Sequence, residues 1–135
     1  MKIYRLFSLF AALTCVILTA GAQNQPEQNQ EKREKQMMES IDNEVQRLSK
    51  LLELEYWQEF YVDSTLTHNM KEMQAEFDSM QKAKVENPEL YTKVQDKWME
   101  ATEETYKHIF NEEQWKKYWK SGAEKAWKAR QKRKK

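Results

Sequence analysis

From Met37 onward the apolar residues recur at steps of three and four and never alternate at two, and this period constrains the fold more than anything else in the chain. Met37, Ile41, Val45, Leu48 and Leu52 form one such stripe. A second runs through Tyr56, Phe60, Leu66, Met70, Met73, Phe77 and Met80. A third carries Leu90 or Tyr91, Val94, Trp98, Ala101, Thr105 and Ile109, and a fourth Trp115, Tyr118, Trp119 and Trp127. With two Gly and two Pro in 135 residues there is little material for tight turns. The expectation is an all-α fold of three to four helices, with a long bent helix over about 55–84 in an antiparallel helical hairpin arrangement.

Local signals place the joints. Asn87-Pro88-Glu89 offers an N-cap, a proline suited to the first helical position and an acid at the positive end of the helix dipole. Asn111-Glu112-Glu113-Gln114 reads as a capping box with Asn in the Ser/Thr place, with Phe110 and Trp115 at the staple positions. Asp63-Ser64-Thr65 and Thr67-His68-Asn69 are weak helix formers that mark a bend or break, and Ser121-Gly122 weakens the last helix.

The first 22 residues read as an export signal: Lys2 and Arg5, an apolar run from Leu6 to Thr19, and cleavage after Ala20-Gly21-Ala22. The run is shorter than the roughly 20 residues of a membrane span. The expected domains are a signal peptide at 1–22, a polar flexible leader at 23–36, a helical domain at 37–128 and a basic tail at 129–135. Cys15 lies in the signal, so the remaining 113 residues hold no cysteine, which excludes a disulfide scaffold, a thiolate metal site and a Cys nucleophile.

In those 113 residues Leu, Ile, Val and Phe number only 15, too few for an ordinary aliphatic core. Five Trp, five Tyr and six Met stand in their place. Aromatic rings bury large areas and Met fills irregular gaps. A chain this small buries a modest share of its surface, so a second copy is expected to complete it as a homodimer. Some of these side chains are expected to remain outside as a plastic apolar surface, with Trp57, Phe60, Met70, Met73 and Trp98 as the candidates for contact with clients or partners.

Charge is divided along the chain. Residues 23–115 carry 11 basic and 21 acidic side chains, whereas residues 116–135 carry ten basic and one acidic. The basic end, Lys116 to Lys135 with Trp119 and Trp127, suits an anionic membrane surface or the protein's own acidic body. Nucleic acid is a poor partner for an exported chain. Catalysis has little to work with: His68 and His108 are forty residues apart, there is no Gly-rich phosphate loop and no Ser or Thr in a nucleophile setting. No catalytic residue, metal ligand or cofactor is assigned.

Two segments 56 residues apart, Leu54-Glu55-Tyr56-Trp57-Gln58 and Phe110-Asn111-Glu112-Glu113-Gln114, resemble the Leu-Thr-x-x-Gln motif that opens helices in exported chaperones of the Spy/CpxP type. Leu54 and the two Gln match; Glu55 stands where Thr would cap, and Phe110 and Asn111 replace Leu and Thr. The resemblance covers about residues 37–128. It implies a curved antiparallel helical dimer in the periplasm that binds unfolding proteins without ATP or damps a stress sensor. Leu54, Gln58, Phe110, Asn111 and Gln114 are then structural helix caps. The alternative is a structural or membrane-surface protein docked by its basic last helix.

Overall fold

The computed structural model describes residues 25–135, and the expected signal segment at 1–22 lies outside them. The chain is all-α. Helix α1 spans Gln25–Leu52, α2 Tyr56–Lys82 and α3 Pro88–Ile109. The fourth and last helix is kinked: α4 spans Glu112–Tyr118, a wide π-type turn spans Trp119–Ala123, and α5 spans Glu124–Arg133.

Of the polar leader expected at 23–36, a segment free to join the next helix or fray, residues 25–36 are the first part of α1. Residues 28–36 are almost wholly Gln, Glu, Lys, Arg and Asn, mostly good helix formers, so nothing in the sequence stops the helix from extending past Met37. Arg33 and Glu34 also reach across to α2, at 3.7 Å from Asp78 and 3.6 Å from Lys71.

The weak helix formers at 63–69 do not break α2. Thr65 donates its hydroxyl to the Tyr61 carbonyl at 2.7 Å, one turn back, so its polar group is satisfied inside the helix. Asn69 is buried, and its amide donates to the Thr102 hydroxyl on α3 at 2.9 Å. Further along, Phe77 meets Tyr91 at 5.6 Å between ring centroids, and Glu76 accepts from both Lys97 and the Trp98 indole. As α2 is followed forward, its partners on α3 step backward.

The connections are built from local hydrogen bonds. After α1, Glu53 takes a left-handed conformation at φ 53, and the Leu54 N–H returns to the Ser49 carbonyl at 3.2 Å. After α2, Lys84 does the same at φ 55, with the Lys84 N–H on Gln81 and the Val85 N–H on Met80, each at 3.0 Å. Both are Schellman endings with a charged residue where Gly is usual. Asn87 caps α3 as expected, its side chain accepting from the Glu89 N–H at 2.9 Å. The wide turn holds Gly122 at φ 127, a value that favours glycine.

The core gathers Leu48 and Leu52 from α1, Val62 from α2, Tyr106, Ile109 and Phe110 from the end of α3, and Tyr118 from α4. Tyr106 lies 4.9 Å from the Phe110 ring and 5.5 Å from Tyr118. Phe110 and Trp115, the two staple positions, both reach Tyr118, at 5.8 and 5.4 Å. So tyrosine and phenylalanine supply the bulk that aliphatic residues lack. Tryptophan does not: Trp57 and Trp127 are exposed and the other three are half-buried.

Residues 129–133 of the basic tail expected at 129–135 belong to α5, and Arg133 bonds Asp96 on α3.

Leu48 has no exposed surface, so Leu48→Ala is expected to lower stability by about 2–5 kcal/mol through lost transfer and an unfilled cavity. Glu53→Gly is expected to raise it by about 1 kcal/mol by relieving the left-handed backbone. Urea midpoints of the two variants check both signs.

Candidate binding surface

The start of α2 is fixed by two glutamines. Gln58 and Gln114 are both buried and face each other across the end of the molecule. The Gln58 amide donates to Gln114 Oε1 at 2.8 Å, and the Gln114 amide donates back to Gln58 Oε1 at 3.0 Å. Each also accepts from the N-cap N–H of its own helix at 3.0 Å, Gln58 from Glu55 and Gln114 from Asn111. The remaining donors reach the last residues of two other helices: Gln58 to the Ile109 carbonyl at 2.9 Å, Gln114 to the Leu52 carbonyl at 3.3 Å. A primary amide offers two donors and two acceptor sites, and here all eight are used. One side-chain pair thus joins the starts of α2 and α4 to the ends of α1 and α3.

Leu54 and Phe110 occupy equivalent places before these two caps, and both pack on the core. Asn111 completes the second box by accepting from the Gln114 N–H at 2.9 Å. At the first site the Glu55 carboxylate accepts from the Trp57 indole at 2.8 Å.

With Gln58 and Val62 turned inward, the opposite side of the same two turns faces solvent. Tyr56 is 86% exposed, Trp57 48%, Phe60 61% and Tyr61 54%. At 100° per residue these four share an arc of about 140°. Trp57 and Phe60 each set an edge-to-face contact with Tyr61, at 6.2 and 5.8 Å. Leu51 at the end of α1 is exposed as well. An aromatic cluster of this size in water is unusual for a surface with no partner.

The five candidate contact residues do not form one patch. Trp57 and Phe60 belong to the cluster just described. Met70 is half-buried and lines an open groove of about 460 Å³ with Ile41, Leu66, Met99, Tyr106 and Tyr118. Met73 is half-buried on α2. Trp98 lies against α2, 6.3 Å from His68, with Lys97 4.8 Å above its ring. Tyr56 and Tyr61 were missed as surface residues. Their positions at i and i+5 beside i+1 and i+4 place them on the exposed arc, and that spacing is visible in the sequence.

Among the described residues, the titratable groups that depart from their ordinary range do so through local pairing or burial. Glu76 sits below its ordinary range because it accepts a hydrogen bond from Lys97, and Glu104 likewise because of Lys107. Burial pushes the Tyr106 and Tyr118 hydroxyls up. His108 is in open solvent with its Nε2 3.9 Å from Glu104. Among the described residues no group of three His, Cys, Asp or Glu side chains is placed to hold a metal ion, and no helix is long and apolar enough to cross a membrane.

Comparison with known proteins finds no matching family model, no matching curated protein and no matching solved structure.

Replacing Gln58 or Gln114 alone by Leu leaves the partner amide half-paired in a buried site. Each is expected to cost about 2–3 kcal/mol. The double replacement is expected to cost less than the sum by about 1–3 kcal/mol, because it removes both halves of one network. A double-mutant cycle by chemical denaturation measures the difference.

Proposed function

We propose that this protein is an exported, ATP-independent chaperone-like or envelope-stress binding protein, working in the periplasm after loss of the segment ending at Ala22. In this reading α2 and α3 form an antiparallel helical hairpin, and two copies pair as a homodimer. The observation that carries the proposal is the cluster of Tyr56, Trp57, Phe60 and Tyr61 held open to solvent at the start of α2. Aromatic side chains offer large contact area at small entropic cost, which suits partners of varied sequence.

The action needs no covalent step. A body with 21 acidic and 11 basic residues between 23 and 115 attracts oppositely charged segments at long range, and the aromatic cluster then makes short-range contact. Met70 and Met99 line a separate groove that offers a second apolar surface with flexible side chains. The reciprocal pairing of Gln58 with Gln114 supports treating the two segments as copies of one motif, and with it the kinship to Spy/CpxP-type chaperones.

The test is suppression of aggregation of a denatured reporter protein, followed by light scattering without ATP. Suppression at near-stoichiometric ratios is expected, and replacing Tyr56, Trp57, Phe60 and Tyr61 together by Ser is expected to abolish most of it. These side chains lie outside the core, so circular dichroism and the urea midpoint should barely change. A folded parent that leaves aggregation unaltered would sink the proposal.

A further inference from the structure

The last helix is fastened to the body in an unusual way. Arg130 is its one buried residue, so α5 contributes no buried apolar side chain to the packing. What joins it to α3 is charge. Arg130 pairs with Glu103, both buried; Arg133 grips Asp96 with two bonds of 2.6 and 3.0 Å; Lys134 reaches Glu100 at 2.6 Å.

Such a fastening is close to balance. The buried pair sheds water from both ions when it forms, so separation returns hydration to each and little is lost. Arg130 Nε is buried without an acceptor, a deficit that release into water repairs. The two outer pairs are partly exposed, where salt screens them. Beside the helix lies a ready pivot: Gly122 sits at φ 127 with open space where a Cβ would stand.

The outer side of α5 shows what it would meet. Lys125, Lys128 and Lys132 are exposed on the side away from α3. Trp127, 40% exposed, instead lies toward α3, lining an open pocket with Glu100, Glu103 and Glu104 and leaning its ring on Trp119 at 5.9 Å, so that release from α3 would uncover it. Freed from α3, residues 124–135 present seven cationic side chains, one acid and one indole. Dense positive charge beside tryptophan is the chemistry of an anionic lipid interface, where the indole seats among headgroups.

We propose that α5 is a charge-latched arm: Asp96, Glu100 and Glu103 park it on α3, and a phosphate-bearing lipid surface outcompetes these carboxylates and draws it away about Gly122. The acidic strip on α3 acts as an internal substitute for the membrane. This role is independent of the aromatic cluster on α2.

Amide hydrogen exchange of the full chain reads the latch directly, because a ten-residue helix released from its support is marginal in water and exchanges fast. Residues 124–133 are expected to exchange on the order of tenfold faster in about 0.5 M salt than at low salt, with α2 and α3 unchanged. Equal protection at both salts would overturn the latch. Vesicle co-sedimentation reads the partner. The combined variant Asp96→Asn, Glu100→Gln, Glu103→Gln is expected to bind phosphatidylglycerol vesicles more tightly than an equal-charge control, Asp63→Asn, Glu72→Gln, Glu86→Gln, whose parent residues are exposed. Equal binding by the two would mean that net charge alone acts and would overturn the latch. Binding to single-stranded nucleic acid but not to anionic vesicles would overturn the lipid assignment. The salt measurement uses the unaltered chain and holds even where a variant fails to fold.

Discussion

The two facing amides of Gln58 and Gln114 are the joint on which the architecture rests. Helix ends leave carbonyls and N–H groups without partners, and four such ends meet at one place in this chain. A hydrophobic core there would have left those groups buried and unpaired. The glutamine pair bonds one such group at each of two starts and two ends, and the tyrosine-rich core gathers around Leu52, Ile109 and Phe110 beside it. With so few aliphatic residues, a polar connection of this kind carries orientation that packing alone would leave loose.

That joint also explains why an aromatic cluster can stay exposed without collapsing onto the body. Gln58 and Val62 commit one side of the first turns of α2 to the interior, so Tyr56, Trp57, Phe60 and Tyr61 have no route inward. The display is a consequence of a fixed helix rotation. At the other extreme of the chain the logic is reversed: α5 has almost nothing apolar to bury and is held by arginine and lysine against the acids of α3. The glutamine joint is organised by hydrogen bonds in a dry setting, the last helix by charges partly in water.

Much of the helical layout was legible in the sequence because it depends on neighbours a few residues apart. Asn87 and Pro88 opening α3, and Asn111 with Gln114 opening α4, are read within four positions and appear as expected. The long α2 likewise follows from its period, its threonine satisfied one turn back. The start of α1 was left open by the sequence, because a polar segment with good helix formers reads the same whether solvated as a helix or as a coil. The meeting of Gln58 with Gln114, of Arg130 with Glu103 and of Asn69 with Thr102 joins residues 56, 27 and 33 positions apart, and no local pattern encodes such distances. For the same reason Met70, Met73 and Trp98 could not be sorted from Trp57 and Phe60: a periodic stripe shows which residues share a side of a helix, but not what that side faces.

The buried bond between Asn69 and Thr102 has a consequence for how the body moves. Sliding α2 along α3 by one turn would break this bond and leave the Asn69 amide to seek another partner, such as the Thr105 hydroxyl one turn along. The bond therefore favours the observed alignment of the two helices by about 0.5–1.5 kcal/mol.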